Sequence, residues 1–162
     1  LKASILPTGF VVRDALAFAD HVLSSPPARA HIERPAPRGE RWARFALPLE
    51  FCKPQNRMAR AGTQAAGWAI GKLKESILIA MLLQNGRVRE PLPGRPQVLC
   101  LRLSSTEPDK YADWAKHAID RLTVKHRGLG FLRDDRPQDA EIHQWWEPAP
   151  RGKGCVVIEV RS

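Results

Sequence analysis

Hydrophobic and polar positions alternate along this chain in two periods, and the changes of period divide it into elements. Residues 10–23 set Phe10, Leu16, Phe18 and Leu23 among Arg13, Asp14, Asp20 and His21, as one amphipathic helix would. Residues 24–41 then carry Pro26, Pro27, Pro35 and Pro37 with Gly39. Proline lacks an amide donor and cannot continue a helix or central strand, so this stretch is expected to be a linker. In residues 41–49, Phe45, Leu47 and Leu49 alternate with Arg44, Ala46 and Pro48, the period of a half-buried strand.

Residues 63–83 place Ala66, Ala69, Ile70, Leu73, Ile77, Ala80 and Met81 at spacings of three and four, which predicts a long helix. Thr63 suits its N-cap, and Asn85-Gly86 its stop. Residues 97–103 alternate through Leu99, Leu101 and Leu103 as a strand. Residues 109–124 predict a second helix with Ala112, Ala115, Ile119 and Leu122 on its apolar side, broken by Gly128 and Gly130. Residues 140–146 and 155–160 predict two closing strands joined as a hairpin by the turn-rich segment 148–154. The expected fold is α/β (α+β): a mixed β-sheet with two main helices packed on one face and an appended N-terminal helix. Residues 1–43 form the appendage and linker, and residues 44–162 the main domain.

Composition narrows the class. Charged residues make up 27% and hydrophobic ones 43% of the 162, which excludes wholesale disorder. No run of about 18 apolar residues exists to span a membrane. The start of the sequence has no secretory-signal pattern, so a cytoplasmic protein is expected. Cys52, Cys100 and Cys155 form no C-x-x-C pair and read as small core residues. The net charge of +9 favours a polyanionic partner. Eight basic residues fall between Arg29 and Arg60 against Glu33, Glu40 and Glu50, which suits either a phosphate-tracking segment or a solvated linker.

Against that basic background, eight of the seventeen acids fall between Glu107 and Glu141. Phosphodiester hydrolysis needs this combination, with cations to hold the backbone and carboxylates to hold Mg²⁺ against the phosphate. On a continuous helix Asp109 and Asp113 would share one face with Lys116, their Cβ atoms about 5–6 Å apart. The same residues equally suit an N-cap and a surface ion pair. His21, His31, His117, His126 and His143 show no metal-binding spacing, and most are expected to be exposed or locally bonded. Gly128-Leu129-Gly130 reads as a turn. Trp145 and Trp146 must point to opposite faces of a strand, one of them available for packing or for stacking an unpaired base.

Five segments carry a resemblance: Phe45-Ala46-Leu47-Pro48; residues 53–60 with Asn56, Arg57 and Arg60; Lys116 to Leu122 with Asp120; residues 130–135 ending in Asp134-Asp135; and the last strand. In order and interval they resemble the RusA family of Holliday-junction resolvases over residues 44–160. The resemblance implies a homodimeric, Mg²⁺-dependent endonuclease that nicks four-way DNA junctions, commonly encoded by phages and prophages. It implies catalytic roles for Asp135 and Lys116 and a structural role for Asp120; with Asp113 added to the catalytic set from a displaced position, the expected metal ligands are Asp109, Asp113, Asp134 and Asp135. It also implies DNA contacts by Asn56, Arg57 and Arg60, to which the positive charges of Lys110 and Lys116 are expected to add. The family's D-x-D-N motif is degenerate, since its two aspartates fall on Lys110 and Ala112 and its asparagine on Asp113. Either Asp109 and Asp113 take over or the site has lost its metal. The expected functions are a RusA-like junction endonuclease, with full or impaired catalysis, or a non-catalytic DNA-binding or phage interaction protein of the same fold.

Overall fold

The computed structural model describes residues 6–53, 63–85 and 89–162. Its elements are α1 (Val12–Leu23), β1 (Arg41–Leu47), α2 (Thr63–Asn85), β2 (Gln97–Ser104), α3 (Lys116–Asp120), β3 (Glu141–Pro148) and β4 (Cys155–Arg161), with one 3₁₀ turn at Leu49–Phe51. The class is α+β, and the four strands form one mixed sheet in the order β1-β4-β2-β3. β4 runs antiparallel to both β1 and β2, whereas β3 runs parallel to β2.

The expected closing hairpin is therefore corrected: β2 lies between β3 and β4. Their sequences account for the order. β4 carries Val156, Val157, Ile158 and Val160 and β2 carries Val98, Leu99, Cys100 and Leu101, all buried. Strands apolar on both faces belong in the middle of a sheet. β3 offers His143 and Gln144 to solvent and takes the edge.

Alternate residues of the sheet enter two apolar clusters. Phe45, Leu47, Val98, Cys100, Val156 and Ile158 meet Ile77, Ala80 and Met81 of α2 and Ala118 and Ile119 of α3. On the other face, Leu101, Leu103 and Val157 meet Ala19 of α1, with Leu16, Phe18 and Val22 packed alongside. The proline-rich segment after α1 is hydrogen-bonded to the sheet: buried Gln97 receives the Arg38 N–H at 2.9 Å and donates to the Ala36 carbonyl at 2.9 Å. Gly39 has φ +70°, and a Cβ there would run into the Ser162 carbonyl, so glycine is required where the segment meets the end of β4. Cys52, Cys100 and Cys155 are free and buried as expected, burial pushing the thiols of Cys52 and Cys155 up to about 12 and about 11. No helix among the described residues is long and apolar enough to cross a membrane.

The helix expected over residues 109–124 is also corrected, since only Lys116–Asp120 is helical. Local hydrogen bonds compete with the helix at its C-terminal end. The Thr123 hydroxyl donates to the Asp120 carbonyl at 2.9 Å and accepts the His126 N–H at 3.1 Å. The Arg121 and Thr123 carbonyls are taken by the N–H groups of Leu129 and Gly128, and Thr123 bridges to Leu132 in parallel. The chain thus folds back on itself directly after α3. Upstream, the Asp109 carbonyl accepts the Ala112 N–H in a turn, and Trp114 is drawn into the core.

Candidate functional site

That fold-back carries Asp134 and Asp135 to the side of α3. Lys116 and Asp120 lie four apart on α3, and the Lys116 ammonium sits 2.9 Å from Asp120 Oδ1 and 2.6 Å from Asp135 Oδ2. Asp120 is buried and is also approached by Lys74 of α2 at 3.7 Å and His126 at 3.5 Å. Asp134 is buried too. Its Oδ1 accepts the Asp135 N–H at 2.8 Å, and its Oδ2 faces Lys125 at 3.3 Å and Arg136 at 3.2 Å. Three carboxylates are thus held among Lys74, Lys116, Lys125, Arg136 and His126.

The electrostatics follow from these contacts. Hydrogen bonding from Asp135, ahead of the pull of Lys125, lowers Asp134 to about 2, so it is ionised throughout the neutral range. Burial works against the charge on Lys116, but its hydrogen bonds to Asp135 and Asp120 outweigh burial and leave its pKa raised. Lys116 therefore stays an ammonium at neutral pH. It can offset charge on a bound anion but cannot act as a general base.

His126, Asp134 and Asp135 present ligand atoms within 4.8 Å of one another and could hold a metal ion. Among the described residues this is the one such group, and it includes neither Asp109 nor Asp113. Those two line a separate cleft of about 470 Å³ with Lys110, Tyr111, Trp114 and Trp145. Without a helix over residues 109–115 they share no helical face with Lys116. Lys110 lies over the exposed Tyr111 ring at 5.5 Å. Asn56, Arg57 and Arg60 lie outside the described residues. Trp146 is buried, its indole N–H shared between the carbonyl and hydroxyl of Ser104, and half-buried Trp145 donates to Glu147 at 2.9 Å. Trp146 is thereby committed to packing, whereas Trp145 is only partly buried and also lines the cleft.

Sequence reasoning missed Lys74, Lys125, Arg136 and the place of His126. His126 stands eight residues before Asp134 across a loop, a separation with no periodic signature. His117 is the exception to the expectation that most histidines are exposed or locally bonded, because it is buried with neither ring nitrogen hydrogen-bonded. Comparison with protein-family models, curated proteins and solved structures gives no significant match.

Proposed function

We propose that this chain is a RusA-like endonuclease of branched DNA, four-way junctions foremost, whose Mg²⁺-dependent phosphodiester hydrolysis is impaired. One observation carries the reading. Lys116, Asp120 and Asp135, drawn from the two motif segments that the RusA resemblance pairs, meet at 2.6 and 2.9 Å. Lys74 beside Asp120, and Lys125 and Arg136 beside the adjoining Asp134, add cations suited to a phosphate backbone.

The impairment follows from the same contacts. A divalent cation held by Asp134, Asp135 and His126 would supply Lewis-acid stabilisation of the phosphate charge. Mg²⁺ prefers oxygen ligands, whereas this set includes an imidazole, and Lys116, Lys125 and Arg136 already neutralise its carboxylates. Lys110 and Ala112 add no acid where the family has two. The donor set thus suits a cation but fits Mg²⁺ poorly. What the chain's own residues supply is a positive rim for the phosphodiester and an ammonium at Lys116 to offset charge on its oxygens. The same ammonium favours the second reading, a non-catalytic DNA-binding protein, because it fills the space between Asp120 and Asp135.

The test compares a labelled four-way junction with linear duplex of equal length. Preferential junction binding that weakens steeply with salt is expected, with slow nicking in Mg²⁺ or Mn²⁺ that Asp135→Asn abolishes. Tight binding without nicking selects the non-catalytic reading. No DNA binding at low salt removes both and leaves an interaction protein.

A further inference from the structure

The end of α1, the proline-rich segment and the sheet meet around a cavity of about 240 Å³. Leu99, Leu101, Val157 and Trp145 of the sheet form its floor, and Leu23, Pro35 and Pro37 its walls. α1 stops at Leu23, and prolines cannot continue a helical layer across the sheet, so the covering of this face is interrupted here. Protein interiors are packed as densely as organic crystals, and voids larger than a water molecule are few. An apolar void of about 150 Å³ stays dry and takes up benzene. The space beside Leu23 is larger, and admits one aromatic ring with a short tail.

The charges at its mouth select the tail. Arg34, Arg44 and Glu159 stand there. Arg34 is fully committed, because all three of its nitrogens donate to Glu147 or to carbonyls at the end of α1. Arg44 is not. Its side chain is only 11% exposed, yet Nη2 alone makes a hydrogen bond, to Asp20 at 2.6 Å. Nε stands 3.7 Å from Glu159, beyond hydrogen-bond distance, and Nη1 has no acceptor among the described residues. Glu159 is already held by Arg41 at 3.2 Å and Arg161 at 2.7 Å. Four guanidiniums thus meet three carboxylates, those of Asp20, Glu147 and Glu159, and one positive charge is left over beside an apolar space. A largely buried guanidinium with unfilled donors favours a carboxylate acceptor.

We propose that this cavity is a binding site for a small aromatic carboxylate, its ring against Leu101, Val157 and Trp145 and its acid group on Arg44. A nucleic acid is too large for the space, and a purely apolar guest would leave the Arg44 donors unmet. The cavity opens on the face of the sheet that packs α1, whereas Lys116 belongs to α3 on the other face. The site is separate from the acid cluster. The inference goes beyond the junction-directed reading and does not depend on it.

Titration of the isotope-labelled full chain with phenylacetate, followed through amide and indole chemical shifts, tests it. Saturable shifts at Leu23, Leu99, Leu101, Val157 and the Trp145 indole are expected, with a Kd below about 1 mM for a ligand of this size. Neutral phenylacetamide should bind about tenfold more weakly, because it cannot pair the spare charge. Leu101→Phe should fill the cavity and remove the shifts while the chain stays folded with an undiminished thermal midpoint. If the added ring unfolds the chain, the comparison of acid with amide on the wild type decides alone. No saturation by about 10 mM phenylacetate overturns the proposal. So do shifts that gather away from the cavity, equal affinity for acid and amide, or undiminished binding by folded Leu101→Phe chain.

Discussion

His117 shows how far a single side chain departs from what its sequence position suggests. It lies on α3, beside Lys116 and two residues before Ile119, yet both its nitrogens are buried without partners. Burial comes first among the causes that lower its pKa, followed by the positive charge of Lys74; Asp120 and Asp113 oppose them. The sign follows directly. The unfolded chain takes up a proton near the ordinary value of 6.5 and the native state does not, so this histidine makes stability fall as pH drops below that value. His117→Leu removes the orphaned nitrogens at similar volume. Its expected effect is a change of about 1 kcal/mol or less at neutral pH, with a flatter loss of stability between about pH 7 and pH 5. Urea denaturation of both proteins at the two pH values checks this, and parallel curves would count against the buried neutral imidazole.

At the level of elements, α1, β1, α2 and the strands β2, β3 and β4 were legible from apolar spacing or, in β4, from a short apolar run bounded by turn residues, and their boundaries differ from expectation by only one or two residues at most ends. The helix over 109–124 was not. Its apolar spacing is real, but Ala112, Ala115, Ile119 and Leu122 reach the same core from a turn, a single helical turn and a fold-back. Thr123 ends α3 by bonding the Asp120 carbonyl, a local competition that periodicity does not register. The closing hairpin failed because strand order is set by which strands are apolar on both faces, not by which are adjacent in sequence. The paired acids Asp134 and Asp135 were legible as a pair, whereas the cations around them were not. The edge of β1 depends on a contact no pattern announces. The Gln84 amide of α2 donates to the Ala46 carbonyl and its oxygen accepts the Ala46 N–H, both at 2.9 Å, closing part of that edge. Gln84→Ala leaves two buried backbone groups unpaired and should cost about 1–3 kcal/mol. Amide exchange at Ala46 should quicken in the same variant, and unchanged protection there would show that the edge is held by other means.

Across the whole molecule, Arg34 is one of the ties that hold α1 and the proline-rich segment to the sheet. Its guanidinium forks onto Glu147 of β3, Nε to Oε2 at 2.8 Å and Nη2 to Oε1 at 2.7 Å. It also donates to the carbonyls of Val22 and Ser25 at the end of α1, at 3.3 and 2.7 Å. Glu147 is buried, and its hydrogen bond to Arg34, opposed by partial burial, raises the arginine pKa. One side chain thus joins α1, the proline-rich segment and the edge strand, across 113 positions of sequence that leave no periodic trace. Arg34→Met keeps most of the apolar stem but strands the Glu147 carboxylate with the Trp145 indole as its remaining hydrogen-bond donor. Breaking a buried pair by removing one partner costs about 3–5 kcal/mol. Arg34→Lys should recover part of that loss, because a lysine keeps the charge and loses the planar fork. The loss should be local first: α1 is expected to exchange its amides faster than the sheet core in Arg34→Met, and Glu147→Gln, which retains an acceptor for arginine, should be milder. If α1 stayed as protected as β2 and β4 in Arg34→Met, contacts of Leu16, Phe18 and Val22 with the sheet would be sufficient to hold the helix, and the arginine would be a local ornament of the β3 edge.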